Sequence, residues 1–455
     1  MTAHASPSTR RGGAMAAAPA LTPALTPLVL ALLAAFPLYS VAQVVPVVPR
    51  PTAPAAFVVP RPMPGWRVSG TGTTVAPVNQ ANAAGGTNQS INQTSQSAIY
   101  NWQSFDIGST SSVTFNFPTQ NSSALNRVTG SSAPSQIFGS LKSQYTNPDA
   151  TQAPLVGGSL YLINANGILF GRNAQVNVGA LIASTLNVKD ADYLSGLTNS
   201  VAGRGASFSQ DPGLVPSLFT DDRNFVVVDP GATITTASGG RVFLFAKNVQ
   251  NAGTITAPDG QVVLAAGASI YLQDPTVEKL YASEANPNYP AVKGLLVEVG
   301  AGSGTASNLV GGAIATARGN TTLVGMAVNQ LGRISATTSV TQNGAVFLLA
   351  RGDAVAGSNG TVNTKRATTS GVLTLGAGSA IEIAPDTAPN TAPGGDGKPA
   401  VSDGNSTFTA SRVELAGKTI EVQSGASIVA HGGIVNARAE ATPNYQDSGS
   451  VNAYY

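Results

Sequence analysis

Gly231-Ala-Thr-Ile-Thr-Thr-Ala-Ser-Gly-Gly-Arg-Val-Phe-Leu-Phe245 is followed almost at once by Ala252-Gly-Thr-Ile-Thr-Ala-Pro-Asp-Gly-Gln-Val-Val-Leu264. Ile234 aligns with Ile255, and the next apolar runs begin near Val242 and Val262. Weaker copies follow at Gly311-Gly-Ala-Ile-Ala-Thr-Ala317, Leu331-Gly-Arg-Ile-Ser-Ala-Thr337, Ser379-Ala-Ile-Glu-Ile383 and Ala426-Ser-Ile-Val429. A period of about 20 residues is the mark of a solenoid. One such unit holds two or three short strands and cannot bury its apolar side chains alone. Stacking the next unit about 4.8 Å above buries them and pairs the backbone. The pattern therefore predicts an all-β chain, a right-handed parallel β-helix. Ile, Val, Leu and Phe are expected inward, Thr, Ser, Gln and Ala outward, with like residues stacked from rung to rung. A sandwich rarely repeats at this period, and a membrane barrel wants longer strands and aromatic girdles.

Working outward, the same texture of short β-branched runs between Gly, Asn, Asp and Ser continues back to Ser112–Phe117. Residues 191–197 offer at most one short helical turn. At this period about 14 to 18 rungs' worth of chain follows Trp66, part of it loops and capping strands. Open solenoid ends expose unpaired edges, so a cap is expected, with residues 66–110 as its place and some strands outside the coil. Residues 205–223, 274–293 and 384–407 read as loops, the last of low complexity.

The composition agrees. Charged residues make up 10% of the 455, with a net charge of +2, against about 25% in ordinary soluble domains. Stacked like charges would repel, so low charge suits a solenoid. The chain has 50 Gly, 29 Pro and no Cys. A disulfide framework, a thiolate metal site and a cysteine nucleophile are thereby excluded, and oxidation cannot lock the chain before it crosses a second membrane. Nothing in the charge balance marks a nucleic-acid partner.

At the N-terminus, Arg10 and Arg11 precede the apolar run Leu28–Phe36 and the small residues Ser40-Val41-Ala42. This reads as a signal peptide over 1–42, cleaved after Ala42. Residues 43–65 are Pro-rich and carry Val-Val-Pro-Arg-Pro twice, at 47–51 and 58–62. Extended polyproline acting as a linker is expected there. The folded part should begin near Trp66, with one domain over 66–300 and further rungs over 301–455.

The segment 99–186 resembles the N-terminal haemagglutination-activity (two-partner secretion) domain of the filamentous haemagglutinin family. The resemblance is carried by Ile99-Tyr-Asn-Trp-Gln-Ser-Phe-Asp-Ile-Gly108, Ala124-Leu-Asn-Arg-Val-Thr-Gly130, Pro134-Ser-Gln-Ile-Phe-Gly139, Asn164-Ala-Asn-Gly-Ile-Leu-Phe-Gly171 and Ala174-Gln-Val-Asn-Val-Gly-Ala-Leu-Ile-Ala-Ser-Thr-Leu186. It implies an exoprotein that passes the Sec translocon and the periplasm. An outer-membrane transporter, a barrel with periplasmic domains, then exports it to the medium or the outer surface of a Gram-negative bacterium. An adhesive role toward host cells or glycans is implied by the same analogy. Asn164, Asn166, Gly167 and Ile168 match a family motif in which Ala165 stands where Pro is usual. Those residues are read either as a rung turn or as part of the surface that the transporter recognises.

Catalytic signatures are scarce. His occurs at 4 and 431 only, the first in the leader and the second beside Gly432-Gly433. No metalloprotease or serine-hydrolase array is present, and no cofactor or metal is implied. Asp190 with Asp192, and Asp221 with Asp222 and Arg223, are the strongest acidic groups; solvated loops account for them. Trp66 and Trp102 could stack on sugars, although core or cap packing explains them better. The expected reading is a non-enzymatic exoprotein. A β-helical polysaccharide-active enzyme, or a haemolysin or toxin exoprotein without its effector region, are the alternatives.

Overall fold

The isoleucines of the repeat stand in one column. Ile234 pairs with Ile255, Ile255 with Ile314, Ile314 with Ile334, Ile334 with Ile381, and Ile381 with Ile428, always in parallel register. The computed structural model describes residues 45–48, 50–64, 66, 76–196, 206–210, 224–273, 294–302, 304–338, 344–357, 364–385 and 410–443. Outside these lie the leader with Ala42 and His4, residues 274–293, Asp221, Asp222, Arg223 and most of 384–407.

One rung shows the plan. Phe225–Val228 lies on a first face, Thr233–Thr236 on a second and Arg241–Ala246 on a third. The next rung repeats the order with Asn248–Asn251, Thr254–Thr256 and Gln261–Ala266. Each strand pairs in parallel with its counterpart a rung away. The result is a right-handed parallel β-helix, the hand that parallel crossovers adopt. The corner between second and third faces brings backbones too close for a side chain. A Cβ on Gly260 would stand 1.8 Å from the Gly240 carbonyl oxygen.

On the second face, ten parallel levels run from Thr87–Asn92 to Ser427–Ala430 among the described residues. That is fewer than the length of chain suggested, because several turns of sequence leave the coil. The excursions start where a third-face strand ends. They carry the helix Asp190–Ser195 and an antiparallel sheet of Phe208–Ser209, Ser269–Gln273 and Leu296–Val299. Of the segment 205–223, the described residues 206–210 thus hold a strand where a loop was expected. The boundary expected at 300 falls inside a continuous coil, since Gln261–Ala266 pairs directly with Asn320–Gly325 across it.

The core inside the coil runs from Ile91 at one end to Leu415 near the other, rich in aromatic residues at the first levels (Tyr100, Trp102, Phe105, Phe115, Phe117 and Phe170) and aliphatic beyond them. At the corner between first and second faces, Asn251, Asn308 and Gln330 form a buried polar ladder. Asn251 Nδ2 donates to Asn308 Oδ1 (2.8 Å), and Asn308 Nδ2 to Gln330 Oε1 (2.9 Å). Outward positions follow the expectation on the second face, where Thr235 and Thr254 are exposed. They depart from it on the third. Ile182, Phe243, Phe245, Val263 and Val324 point out and are buried in a separate cluster with Phe208, Ile270, Leu272, Val297 and Val299. The strand runs are apolar without alternation, as strands covered on both sides must be.

The cap also departs from expectation. Val78–Ala81 folds back antiparallel on Thr87–Asn92, closing the second face. Arg61–Pro62 pairs antiparallel with Ser97–Ser104 and closes the third. Trp66 stacks on Tyr100 at 5.0 Å and leans on Trp102 at 5.6 Å, sealing the core. Order therefore begins before Trp66, and the Pro-rich stretch is a strap laid on the coil, not a free spacer. Its carbonyls accept hydrogen bonds from the coil, so the N–H groups that proline lacks are not needed. Thr110 N donates to Ala56 O (3.0 Å), Gly108 N to Val58 O (2.8 Å) and Gln250 Nε2 to Pro46 O (2.7 Å).

Candidate functional site

Between the third-face strand Ser159–Ile163 and the first-face strand Ile168–Phe170 the chain turns through residues 164–167. Asn164 makes this turn locally. Its Oδ1 accepts from Asn166 N (3.0 Å), and its carbonyl accepts from Gly167 N (3.1 Å). Gly167 sits at φ +113°, a conformation that suits glycine. Asn164 also ties levels together. Its backbone N donates up to Ser184 O (3.0 Å), and Nδ2 donates down to Ala133 O (3.1 Å) and Ser135 Oγ (3.0 Å). Asn166 Nδ2 donates down to Ser131 O (3.1 Å).

Burial separates the four residues singled out in the sequence. Asn164 is 1% exposed, Gly167 is buried and Ile168 is fully enclosed in the core. Only Ala165 and Asn166 reach solvent, each partly. Three of the four thus hold the rung turn, and a partner can touch only the tip.

Of the motifs in 99–186, Ile107, Pro134–Gly139 and Ile168–Gly171 meet on the first face, while Ile99–Trp102, Ala124–Val128 and Ala180–Ser184 lie on the third and Gln175–Val178 on the second. Ile107 bridges to Ile137, Ile137 pairs with Phe170, and Phe170 pairs with Val228, one inward column. Asp106 Oδ1 accepts from Gln136 N (3.0 Å) beneath the turn. Burial raises the pKa of Asp106 above the ordinary carboxylate value, partly offset by that N–H and by Arg61. On the outside of the same face, Leu169, Phe225 and Val227 form an apolar stripe flanked by Phe138 and covered by Val48 of the strap. Arg50 of the strap pairs with Asp229 at 3.1 Å. Burial raises the pKa of Asp229, and Arg50 and then Arg172 pull it back.

The remaining candidates do not assemble. Asp190 and Asp192 lie in the first turn of the short helix, and Asp190 pairs with Arg127, which also donates to Asn187 Oδ1 (2.9 Å). His431 is an exposed turn residue whose N–H donates to Ile383 O (3.2 Å). Trp102 is fully buried, with Nε1 donating to Asn126 Oδ1 (3.0 Å). Among the described residues, no group of three or more His, Asp or Glu is placed to hold a metal ion.

Two features escaped the reading of the sequence. One is the strap, although the doubled Val-Val-Pro-Arg-Pro was its signal. The other is a charged groove on the outer third face, where Arg351 meets Glu298 (2.6 Å) and Arg412 and Arg438 meet Glu414 (3.0 and 2.7 Å). Arg412 and Glu414 are neighbours on one strand, but Glu298, Arg351 and Arg438 lie far from them in the chain, and no local pattern links the group.

Comparison with known proteins adds the following. A family model described as TPS secretion domain matches residues 68–359, more than half of the chain. Two Haemophilus influenzae proteins, each described as a heme/hemopexin-binding protein, are similar to it. One is 36% identical over 134 residues, 29% of this chain and 13% of that protein. The other is 37% identical over 110 residues, 24% of this chain and 10% of that protein. The chain thus spans a small part of those relatives. The crystal structure of the HMW1 secretion domain from Haemophilus influenzae superposes with a TM-score of 0.47 at 19% identity. The superposition covers 83% of this chain and 94% of that one.

Proposed function

The chain belongs to the two-partner secretion (TPS) secretion domain family, and from that premise we propose that its N-terminal levels are the signal read by a dedicated outer-membrane transporter. Exoproteins of this kind are exported by Gram-negative bacteria. The reading is that the chain crosses the inner membrane by the Sec route, meets the periplasmic domains of the transporter, and leaves for the medium or the cell surface. A coil whose rungs each rest on the one before can fold from one end as it emerges. Once outside, it acts as an adhesin, by binding and not by catalysis.

The observation that supports this is the stacking of motif segments at the N-terminal levels, three of which, around Ile107, Pro134–Gly139 and Asn164–Gly171, meet on the first face. The turn at 164–167 and the strand beneath it rest on the inward column Ile107–Ile137–Phe170 as one contiguous packed unit. Ala165 and Asn166 are its accessible tip. The test is release into the medium with and without the transporter, for wild type beside Asn166→Ala, with periplasmic accumulation checked for both. Transporter-dependent release that falls with Asn166→Ala supports recognition at the tip. Dependent release that survives the substitution makes 164–167 a rung turn only. Release that ignores every such transporter defeats the reading.

A further inference from the structure

The strap carries the same five residues twice, and the coil provides a seat for each copy. At the second copy, Pro60 is buried, its carbonyl accepts from Gln89 Nε2 (3.0 Å), and Arg61–Pro62 pairs with Ser104 and Trp102. This seat is part of the cap, locked by strand pairing and by the Trp66 stack. At the first copy the hold is slighter. Val48, 6% exposed, packs on Leu169, Phe225 and Val227. Pro46 O accepts from Gln250 Nε2 (2.7 Å), and Arg50, its side chain 42% exposed, meets Asp229. Between the two seats Thr52, Ala53, Ala55, Ala56 and Phe57 are exposed. One end of the strap is built into the fold. Among the described residues, the other rests on one buried side chain, one donated hydrogen bond and one solvent-screened ion pair.

What lies under the loose end is the outward stripe of the first face, to which the motif segments Pro134–Gly139 and Asn164–Gly171 contribute Phe138 and Leu169. Leu169 directly follows Ile168 of the turn motif. We infer that this stripe, with Gln250 and Asp229 beside it, is a docking surface for the transporter's periplasmic domain, and that the strap covers it in the unengaged chain. The inference rests on the transporter reading above. The resting occupant displays the chemistry that the seat accepts: an extended backbone offering a carbonyl to Gln250, a branched aliphatic side chain for the stripe, and a cation for Asp229. An extended segment of a periplasmic domain carrying an aliphatic residue and a Lys or Arg, laid across this sheet face as the strap is, satisfies all three. Because strap and partner compete for one seat, the strap lowers apparent affinity by the fraction of time it stays down.

The experiment measures binding of the full exported chain to the isolated periplasmic domains of its transporter. Wild type is compared with Val48→Asp/Arg50→Glu, which alters the strap alone. The double variant should bind at least tenfold more tightly, and a peptide of residues 43–66 should compete with the domains for it. Val227→Asp added to the double variant should abolish the gain. Unchanged or weaker binding by the strap variant, with tryptophan fluorescence and circular dichroism showing an intact coil, overturns the proposal; so does a peptide that fails to compete. Transporter-dependent release in cells separates the two readings. If release depends on the transporter while the strap variant gains no affinity, the strap proposal falls and recognition stands. If release is independent of the transporter, recognition falls and takes this proposal with it.

Discussion

Asn164→Ala tests whether the turn motif is first of all structural. The side chain makes four hydrogen bonds: to Ala133 O and Ser135 Oγ below, and from Asn166 N and Nδ2 within the turn. Ser135 is itself 1% exposed, so its hydroxyl loses a partner where water does not reach. An enclosed group left unpaired costs about 1–3 kcal/mol, and each part-buried bond about 0.5–1.5 kcal/mol. Taken at the low end of each range, the total for Asn164→Ala is then about 3 kcal/mol. Asn166→Ala loses its bond to Ser131 O and one to Asn164, both part-buried, and should cost about 1 kcal/mol. The two tryptophans suit the assay, because Trp66 and Trp102 pack together at the N-terminal end. Their fluorescence during urea unfolding reports the first levels, while circular dichroism reports the whole coil. Separate signals matter in a stacked array, whose ends need not unfold together. Asn164→Ala should lower the fluorescence midpoint about three times as far as Asn166→Ala. Equal shifts, or less than about 1 kcal/mol for Asn164→Ala, would refute the assignment of the motif to the turn.

Ile255→Ala removes a fully enclosed link of the isoleucine column and should cost about 3–4 kcal/mol in urea unfolding followed by circular dichroism; Ile428→Ala, half-buried at the end of the column, should cost about 1 kcal/mol or less. Asn308→Ala leaves Asn251 Nδ2 and Gln330 Oε1 short of a partner where both residues are fully buried, and should cost about 2–5 kcal/mol by the same assay. Asp229 gives a pH signature. Its folded pKa lies above the unfolded one, so the folded chain binds more protons between the two and loses stability as pH rises through that window. Arg50→Ala removes a contact that lowers this pKa, so the window should extend upward. The stability gap between wild type and Arg50→Ala should be small below the unfolded pKa and should open as pH rises through the folded one. A carboxylate titration followed by NMR that shows Asp229 unmoved or lowered in Arg50→Ala would contradict the pairing.

Much of the coil was legible because its period is written in the core. Each copy of the Thr-Ile-Thr unit exposes its threonines and buries its isoleucine, and the copies far down the chain at Ile314, Ile334, Ile381 and Ile428 fall in the same column. The number of levels was harder to read, because an excursion resets sequence distance without resetting the stack. Ile255 and Ile314 are one rung apart in space. The covered third face was readable in principle. Val242-Phe-Leu-Phe245 and Val262-Val-Leu-Ala265 do not alternate, and a strand without alternation is one with no wet side. What the pattern omits is which segment does the covering. Phe208 and Ile270 reach Phe243 and Phe245 through tertiary folding alone.

The strap exposes a different gap in reading from composition. Proline removes a donor, so composition reads a Pro-rich run as an extended linker. Yet proline keeps its carbonyl, and the fixed, extended backbone presents successive acceptors at little further entropic cost. Such a run is poor in donors and rich in acceptors, which is the complement of a coil end whose Gln89, Gly108, Thr110 and Gln250 have donors to offer. The same asymmetry separates the two ends of the strap. Near the cap, Gly108 and Thr110 donate from the backbone, which no side-chain truncation removes. On the first face the donor is one glutamine side chain. Gln250→Leu should therefore loosen Val48 and Arg50 while leaving Arg61–Pro62 in place. Spin labels placed singly at Val47 and at Phe57 read the difference. Mobility should rise at 47 and stay unchanged at 57, and an equal rise at both positions would mean that the strap moves as one piece and that its two seats are not independent.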